Sequence, residues 1–237
     1  MNVRVALVTG AARGIGAAIA ARLLYDGCTV VAADLGGSRR LPLQSHRHDR
    51  DIDITSAKAR ATLVTWIDEQ FGRLDILVNN AGIFARTPLA IGTDQPQEAQ
   101  ILAVNADAPA ALIAEMEPLM LRSDAPAIVN VASVRGLTAS ENAAAYSISK
   151  ALVIDMTRHA AARFGGRIRV NAVAPGDIDT GMSPTEPEIL RRLMARIPLG
   201  RLGRPEEVAN VVAFLASQQS AAINGSLLPV DGGFIAT

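Results

Sequence analysis

The chain has 237 residues, 49% of them hydrophobic, enough to bury one large core, so a single domain over residues 1–237 is expected. Lysine plus arginine and aspartate plus glutamate each total 23, which excludes the strong overall field that marks binders of nucleic acid or of an anionic membrane. Cys28 is the one cysteine, excluding an intrachain disulfide, and the opening MNVRVALVTG lacks the long apolar run of a signal or anchor; a cytoplasmic protein acting on a small molecule is expected.

The first run, VRVALVTG, carries apolar residues on both parities, as strands covered on both faces do, and leads into the helical IGAAIAARLLYDG. At the junction TGAARGIG, Thr9 to Gly16, spaces its glycines G-x-x-x-G-x-G rather than in the commoner G-x-G-x-x-G. Gly10 permits a tight turn, Gly14 lets the backbone approach a pyrophosphate, and Gly16 lets helix pack closely on strand. A plain strand-to-helix connector could use the same glycines; the position after the first strand favours phosphate binding. The second run, TVVAAD, ends in Asp34, whose carboxylate can accept from an adenosine ribose and repel a 2′-phosphate, pointing to NAD. Arg13 in the turn, with Arg39 and Arg40 in the next loop, could instead neutralise that phosphate and admit NADP.

Residues 35–50, LGGSRRLPLQSHRHDR, hold Gly, Pro and polar residues where a second crossover helix belongs, and read as mostly loop. Asp53, in DIDIT after the third strand, is placed to accept from an adenine amino group or to cap a helix. His46 and His48 stand near Asp49, Asp51 and Asp53, but no further His or Cys completes a metal set, and no metal is expected. ATLVTWIDEQFG is helical and puts Trp66 and Phe71 in the core or an interface, while Cys28 packs as a small apolar residue.

LDILVNNAG is the fourth strand, followed by Asn79 to Gly82, of which Asn80, Ala81 and Gly82 could border a ribose. A helix over 97–122 contains Asn105 and, four residues on, Pro109, which has no N–H to give the Asn105 carbonyl; that carbonyl is free for a water, or the helix merely kinks. APAIVNVAS ends at Ser133, and a helix over 143–164 sets Tyr146 and Lys150 four apart on one face. A free tyrosine ionises near pH ~10, so a phenol that works at neutrality needs a nearby cation, which Lys150 can supply; a snorkelling surface pair is the plainer alternative. IRVNAVAPG ends in Pro175 and Gly176, after which residues 177–198 read as a polar loop running into an amphipathic helix. The alternation implies an α/β doubly wound parallel sheet of Rossmann type, with ligands bound beyond the carboxyl ends of the strands.

TGAARGIG, NNAG at 79–82, Asn105, Ser133, YSISK and APG at 174–176 occur in an order and spacing that resembles the short-chain dehydrogenase/reductase family, over nearly the whole chain from Val5 to the VDGG of 230–233. The resemblance implies hydride transfer between NAD, with NADP possible, and a small secondary alcohol or ketone, and it places the chain in the 3-oxoacyl reductase-like branch. It implies that Tyr146 is the general acid/base and also borders the cofactor, Ser133 orients the substrate oxygen, Lys150 lowers the tyrosine pKa and holds the nicotinamide ribose, and Asn105 serves a proton relay. Around the cofactor it adds Ile15 in the glycine turn, Asp53, and Ile178 after the Pro175–Gly176 turn. Residues 177–198 would be a mobile substrate lid, with Met182, Ile178, Ile83, Phe84 and Leu137 as a modest apolar pocket. Arg135 stands where the family more often has a small apolar residue; it faces a substrate anion or, preferably, lies along the surface. A homotetramer, or a homodimer, would be built on the 97–122 and 143–164 helices. An NADPH-dependent 3-oxoacyl thioester reductase is the rival enzyme, and a catalytically silent nucleotide-binding scaffold the rival of another class.

Overall fold

The runs with apolar residues on both parities become strands because both of their faces are covered. In the computed structural model, which describes residues 3–36, 46–86, 96–139, 142–180 and 187–236, β1 (Val5–Thr9) is buried at all five positions. Its neighbours are β2 (Thr29–Asp34) on one side and β4 (Ile76–Asn79) on the other, both parallel to it. The sheet has the order β3-β2-β1-β4-β5-β6-β7, completed by β3 (Arg47–Asp51), β5 (Ala127–Val131), β6 (Arg169–Pro175) and β7 (Leu227–Val230). Crossovers leave β1 in opposite directions, which opens a crevice at its carboxyl end.

The helices divide between the two faces. Alternate strand residues such as Leu7, Val31, Leu77 and Ile128 meet the side chains of α2 (Ala57–Phe71), α4 (Ala108–Met120) and α5 (Ala144–Phe164). Their neighbours Val8, Val30, Val78 and Val129 meet α1 (Gly14–Tyr25) and α7 (Pro205–Ala216), and Cys28 is buried in this second layer. The doubly wound parallel sheet of Rossmann type is therefore the observed fold. Among the described residues no helix is long and apolar enough to cross a membrane.

Three local differences from the sequence reading have physical causes. The loop expected over 35–50 ends earlier, because Arg47–Asp51 pairs with β2 from Val30 to Asp34; residues 37–45 lie outside the described part. As an edge strand with one neighbour, β3 needs no apolar alternation, and its polar side chains find other partners: Arg50 stacks 3.5 Å over the Trp66 ring, and His48 packs against Trp66 and Phe71. The helix expected over 97–122 is split into α3 (Pro96–Leu102) and α4 by a wider, π-helical turn over Ala103–Asp107, where the Ala108 N–H bonds back five residues to the Ala103 carbonyl. Pro109 withholds the N–H an ordinary turn would use at Asn105, so the ladder loses its usual i+4 partner there.

A buried polar row locks the strand ends that carry the crevice. Asn79 Nδ2 donates to Asn130 Oδ1 at 2.9 Å, Asn130 Nδ2 to Thr157 Oγ1 at 2.9 Å, and the Thr157 hydroxyl to the Val153 carbonyl at 2.7 Å. Every link is shielded from water, so β4, β5 and α5 are held at one height relative to each other.

Candidate active site

Parallel register brings Gly10, Asp34, Asn79–Gly82, Ser133 and Pro175–Gly176 to the same edge of the sheet, since each ends a strand or follows its end within a few residues. At the first of these, Thr9 organises two loops: its hydroxyl accepts from the backbone N–H of Asn80 (3.0 Å) and of Ala81 (3.1 Å). Asn80 Nδ2 returns bonds to the carbonyls of Thr9 and Gly10 at 2.9 and 3.1 Å. A Cβ at Gly16 would collide with the Gly10 carbonyl and with Asn80 Nδ2, so this helix can sit against this turn only with glycine there. The N-cap residue of α1, Arg13, offers no side-chain acceptor and is exposed, and the first turn holds no acidic residue. Its N–H donors and positive dipole end are thus left to an external anion.

Asp34 Oδ2 accepts from the Ala12 N–H at 2.8 Å, which fixes the carboxylate between the end of β2 and the glycine turn and leaves its other oxygen without a hydrogen-bond donor among the described residues. Two residues the sequence reading passed over join this end. Asp51, at the end of β3, accepts from the Gly36 N–H at 2.9 Å, and Thr180 stands 3.3 Å from where a Cβ on Gly14 would be, so the chain after β6 reaches the start of α1. Asp53 is spent locally: its Oδ1 accepts from the Thr55 N–H and hydroxyl at 2.9 and 2.7 Å, which holds its carboxyl below the usual range. Ser56, not Asp53, caps α2.

At the other end, Ser133 opens a short turn and its Oγ accepts from the Arg135 N–H at 3.1 Å, so its own hydroxyl hydrogen is left to donate to the Tyr146 oxygen. The turn is pressed onto α5: a Cβ on Gly136 would lie 2.7 Å from the Lys150 carbonyl carbon. That contact couples Ser133 to the helix carrying Tyr146 and Lys150. Burial pushes the Tyr146 phenol above its ordinary pKa, while a hydrogen bond with Ser133 and the Arg135 charge favour ionisation and Asp177 opposes it. Lys150 Nζ donates to the Val131 carbonyl at 2.8 Å and lies 5.8 Å from the centre of the Tyr146 ring, on the same side but without direct contact. Its burial lowers its pKa to about 8. A Cβ on Gly82 would lie 3.5 Å from Nζ and 3.3 Å from Asn105 Oδ1, so ammonium and amide both border the loop after β4. Asn105 itself is tied to that loop, accepting from the Ile83 N–H (2.8 Å) and donating to the Ile83 carbonyl (3.0 Å), and to α5 through Ser149 Oγ (3.0 Å).

The remaining residues are placed as follows. Phe84 meets the Tyr146 ring edge-on at 5.1 Å, and both Phe84 and Leu137 are exposed at the mouth of the crevice. The Gly176 N–H bonds to the Val230 carbonyl, ending β6 against β7; Ile178 bridges to Gly203, and Ile178 and Ile15 both pack on the α1/α7 layer. Arg135 is half-buried, its charge reaches Tyr146, and it approaches the Phe234 ring. Met182, Arg39 and Arg40 lie outside the described residues.

Comparisons with known proteins bear on this arrangement. The family described as enoyl-(acyl carrier protein) reductase matches residues 10–235. A 3-oxoacyl-(acyl-carrier-protein) reductase, FabG of Thermotoga maritima, is 37% identical over 241 residues, covering 98% of each chain. The cis-4-hydroxycyclohexanecarboxylate dehydrogenase of Sinomonas cyclohexanicum is 39% identical over 241 residues, covering 98% of this chain and 97% of its own. Among solved structures, the ligand-free aldohexose dehydrogenase of Thermoplasma acidophilum superposes with a TM-score of 0.91 at 31% identity, covering 100% of this chain and 95% of that one.

Proposed function

The chain belongs to the short-chain dehydrogenase/reductase family and is an NAD(P)-dependent oxidoreductase acting on CH–OH groups, and from that premise we propose that it prefers NAD and interconverts a secondary alcohol and a ketone with Tyr146 as general acid/base. The observation that carries the reading is the meeting of Ser133, Tyr146 and Lys150 at one end of a crevice whose other end is the uncapped start of α1. The residues present fit a dinucleotide: the glycine turn admits no Cβ at Gly16, the first turn of α1 carries no acid, and Asp34 is fixed at the end of β2, where its free oxygen would accept from a ribose. Gly10, Arg13, Gly14, Ile15 and Gly16 would border the pyrophosphate. Asn80, Ala81 and Gly82 would border the nicotinamide ribose, and Pro175, Gly176 and Ile178 the ring.

The nicotinamide, when bound, accepts or supplies the hydride. In reduction Ser133 donates a hydrogen bond to the carbonyl oxygen and Tyr146 gives that oxygen its proton; in oxidation Tyr146 takes the proton back. Lys150, held on the Val131 carbonyl and facing Gly82, would hold the ribose hydroxyls and lend positive charge to the phenol's surroundings. The Asn105 carbonyl, without an N–H from Pro109, would receive the water that links Lys150 to solvent.

A 3-oxoacyl thioester reductase using NADPH is the second reading, favoured by the 37% identity to FabG of Thermotoga maritima and by exposed Arg13 beside the phosphate end. Initial rates followed at the reduced-nicotinamide absorbance separate the two. Turnover of secondary alcohols with NAD above NADP is expected; faster reaction of a 3-oxoacyl thioester with NADPH would replace the first reading by the second.

Residues 1–237 are read as one cytoplasmic domain, and assembly as a homotetramer. Ile148 and Leu152 are half-exposed one turn apart on α5, an apolar stripe on the helix named above for the subunit interface. Light scattering is expected to give a tetramer mass, and a monomer mass would remove the proposal.

A further inference from the structure

Two guanidinium groups from distant parts of the chain converge on one ring at the substrate end of the crevice. The Arg135 Cζ lies 5.9 Å, and the Arg196 Cζ 4.8 Å, from the centre of the Phe234 ring. Arg135 belongs to the turn after Ser133, Arg196 to the segment following α6 (Pro187–Met194), and Phe234 to the turn after β7. Phe234 packs with Val134, Ala174 and Ile197, so the two cations stand at the margin of an apolar floor.

Neither arginine is in an ion pair among the described residues, although most other arginines near acids are. Neither Asp231 nor Asp177 forms an ion pair with them among the described residues. Asp231 uses its two oxygens on the N–H groups of Gly233 and Ile235, both at 2.9 Å, and Asp177, whose charge reaches Tyr146, makes no ion pair among the described residues. Stacking on a ring orients a guanidinium without cancelling its charge. Two cations carried by one ring both favour an anion at its margin, and a carboxylate can take paired N–H donors from a guanidinium. Arg135 is also tied to the reacting end, because its backbone N–H is bonded to Ser133 Oγ at 3.1 Å.

We infer that Arg135 and Arg196 form an anion subsite beside Ser133, so that the preferred substrate is a hydroxy acid or keto acid whose carboxylate lies a few bonds from the reacting carbon. This rests on the hydride-transfer reading above for its chemistry, but the subsite itself can be tested apart from it. A carboxylate seated at the subsite fixes the carbinol against Ser133 and Tyr146, and a neutral analogue loses that register. Arg196 is a specificity residue in this scheme and Arg135 both a specificity residue and the link to Ser133.

The test compares kcat/KM for 3-hydroxybutyrate and for its methyl ester, in the wild type and in Arg196→Gln, Arg196→Lys and Arg135→Gln, alongside isothermal titration of 3-hydroxybutyrate into the enzyme–NAD complex. The wild type is expected to prefer the acid by about tenfold or more, the scale of a charge-assisted hydrogen bond. Either Gln variant is expected to bring the ratio near unity, and Arg196→Lys to keep part of it. Equal use of acid and ester by the wild type, or a preference unchanged in the Gln variants, overturns the subsite. If nothing turns over but the acid binds and the Gln variants abolish binding, the subsite stands and the hydride-transfer reading fails; no turnover and no binding overturns the inference.

Discussion

Replacing Tyr146 by Phe is expected to lower kcat/KM by about a thousandfold while cofactor affinity stays nearly unchanged. The substitution removes one hydroxyl and keeps the ring, so the edge-on contact with Phe84 and the packing of α5 on the Ser133 turn survive. What is lost is the only phenol that shares a hydrogen bond with Ser133, and a positioned acid/base typically contributes 10²–10⁴-fold. The direction of the pH dependence follows from the same site. Burial raises the phenol, so in reduction it carries its proton throughout the neutral range. In oxidation the ionised form is needed, and the rate should climb with pH as that form grows. Lys150 works against the climb: its pKa is depressed to about 8, so its charge is present below that pH and lost above it, and the rise should flatten there. Rate–pH profiles of wild type and variant in both directions check this. A variant retaining a tenth of the wild-type activity, or one with the same limbs, would remove Tyr146 from the proton transfer.

The parts of this site that were legible in the sequence are those whose chemistry is local. TGAARGIG is one turn and the start of one helix, and Tyr146 and Lys150 lie on successive turns of one helix, so spacing alone puts each group together. Even there the reading reached the face and not the contact, since Lys150 bonds to Val131 and not to the phenol, a choice made by the height of β5 against α5. Arg196 was illegible because it meets the Phe234 ring, which Arg135 also approaches, only after the segments following α6 and β7 have come together in the fold. The bounds of β3 were hidden for a different reason: RHDRD shows no apolar period, because its stabilising contacts are backbone bonds to β2 and stacking on Trp66. Pro109 did signal a break in the helix ladder, but that the chain answers with a wider turn over Ala103–Asp107, and not a kink, depends on how Asn105 is tied to Ile83 and Ser149.

Gly16→Ala is expected to weaken NAD(H) binding by about tenfold to a hundredfold and to lower the melting temperature, in a protein that still folds. The added methyl would enter the space of the Gly10 carbonyl and of Asn80 Nδ2, and neither is the loose end of a flexible side chain. The Gly10 carbonyl belongs to the turn itself, and Asn80 Nδ2 is held by both the Thr9 and Gly10 carbonyls. Relief therefore requires α1 to move off the turn or the turn to move off β4, and overpacking of this kind costs roughly 1–3 kcal/mol. Either movement displaces the N–H donors at the start of α1 from the anion they face, so the cost appears in cofactor affinity as well as in stability. Gly27→Ala separates the two effects. Gly27 has φ +82° and nothing within 4 Å of its missing Cβ, so alanine there meets backbone strain of about 1–2 kcal/mol with no displacement of the phosphate end. Thermal unfolding should register both variants, whereas titration of NADH by its fluorescence should register Gly16→Ala alone. Equal NADH affinity in Gly16→Ala and wild type would mean that the start of α1 does not hold the pyrophosphate, and the orientation proposed for the whole cofactor would have to be reversed or abandoned.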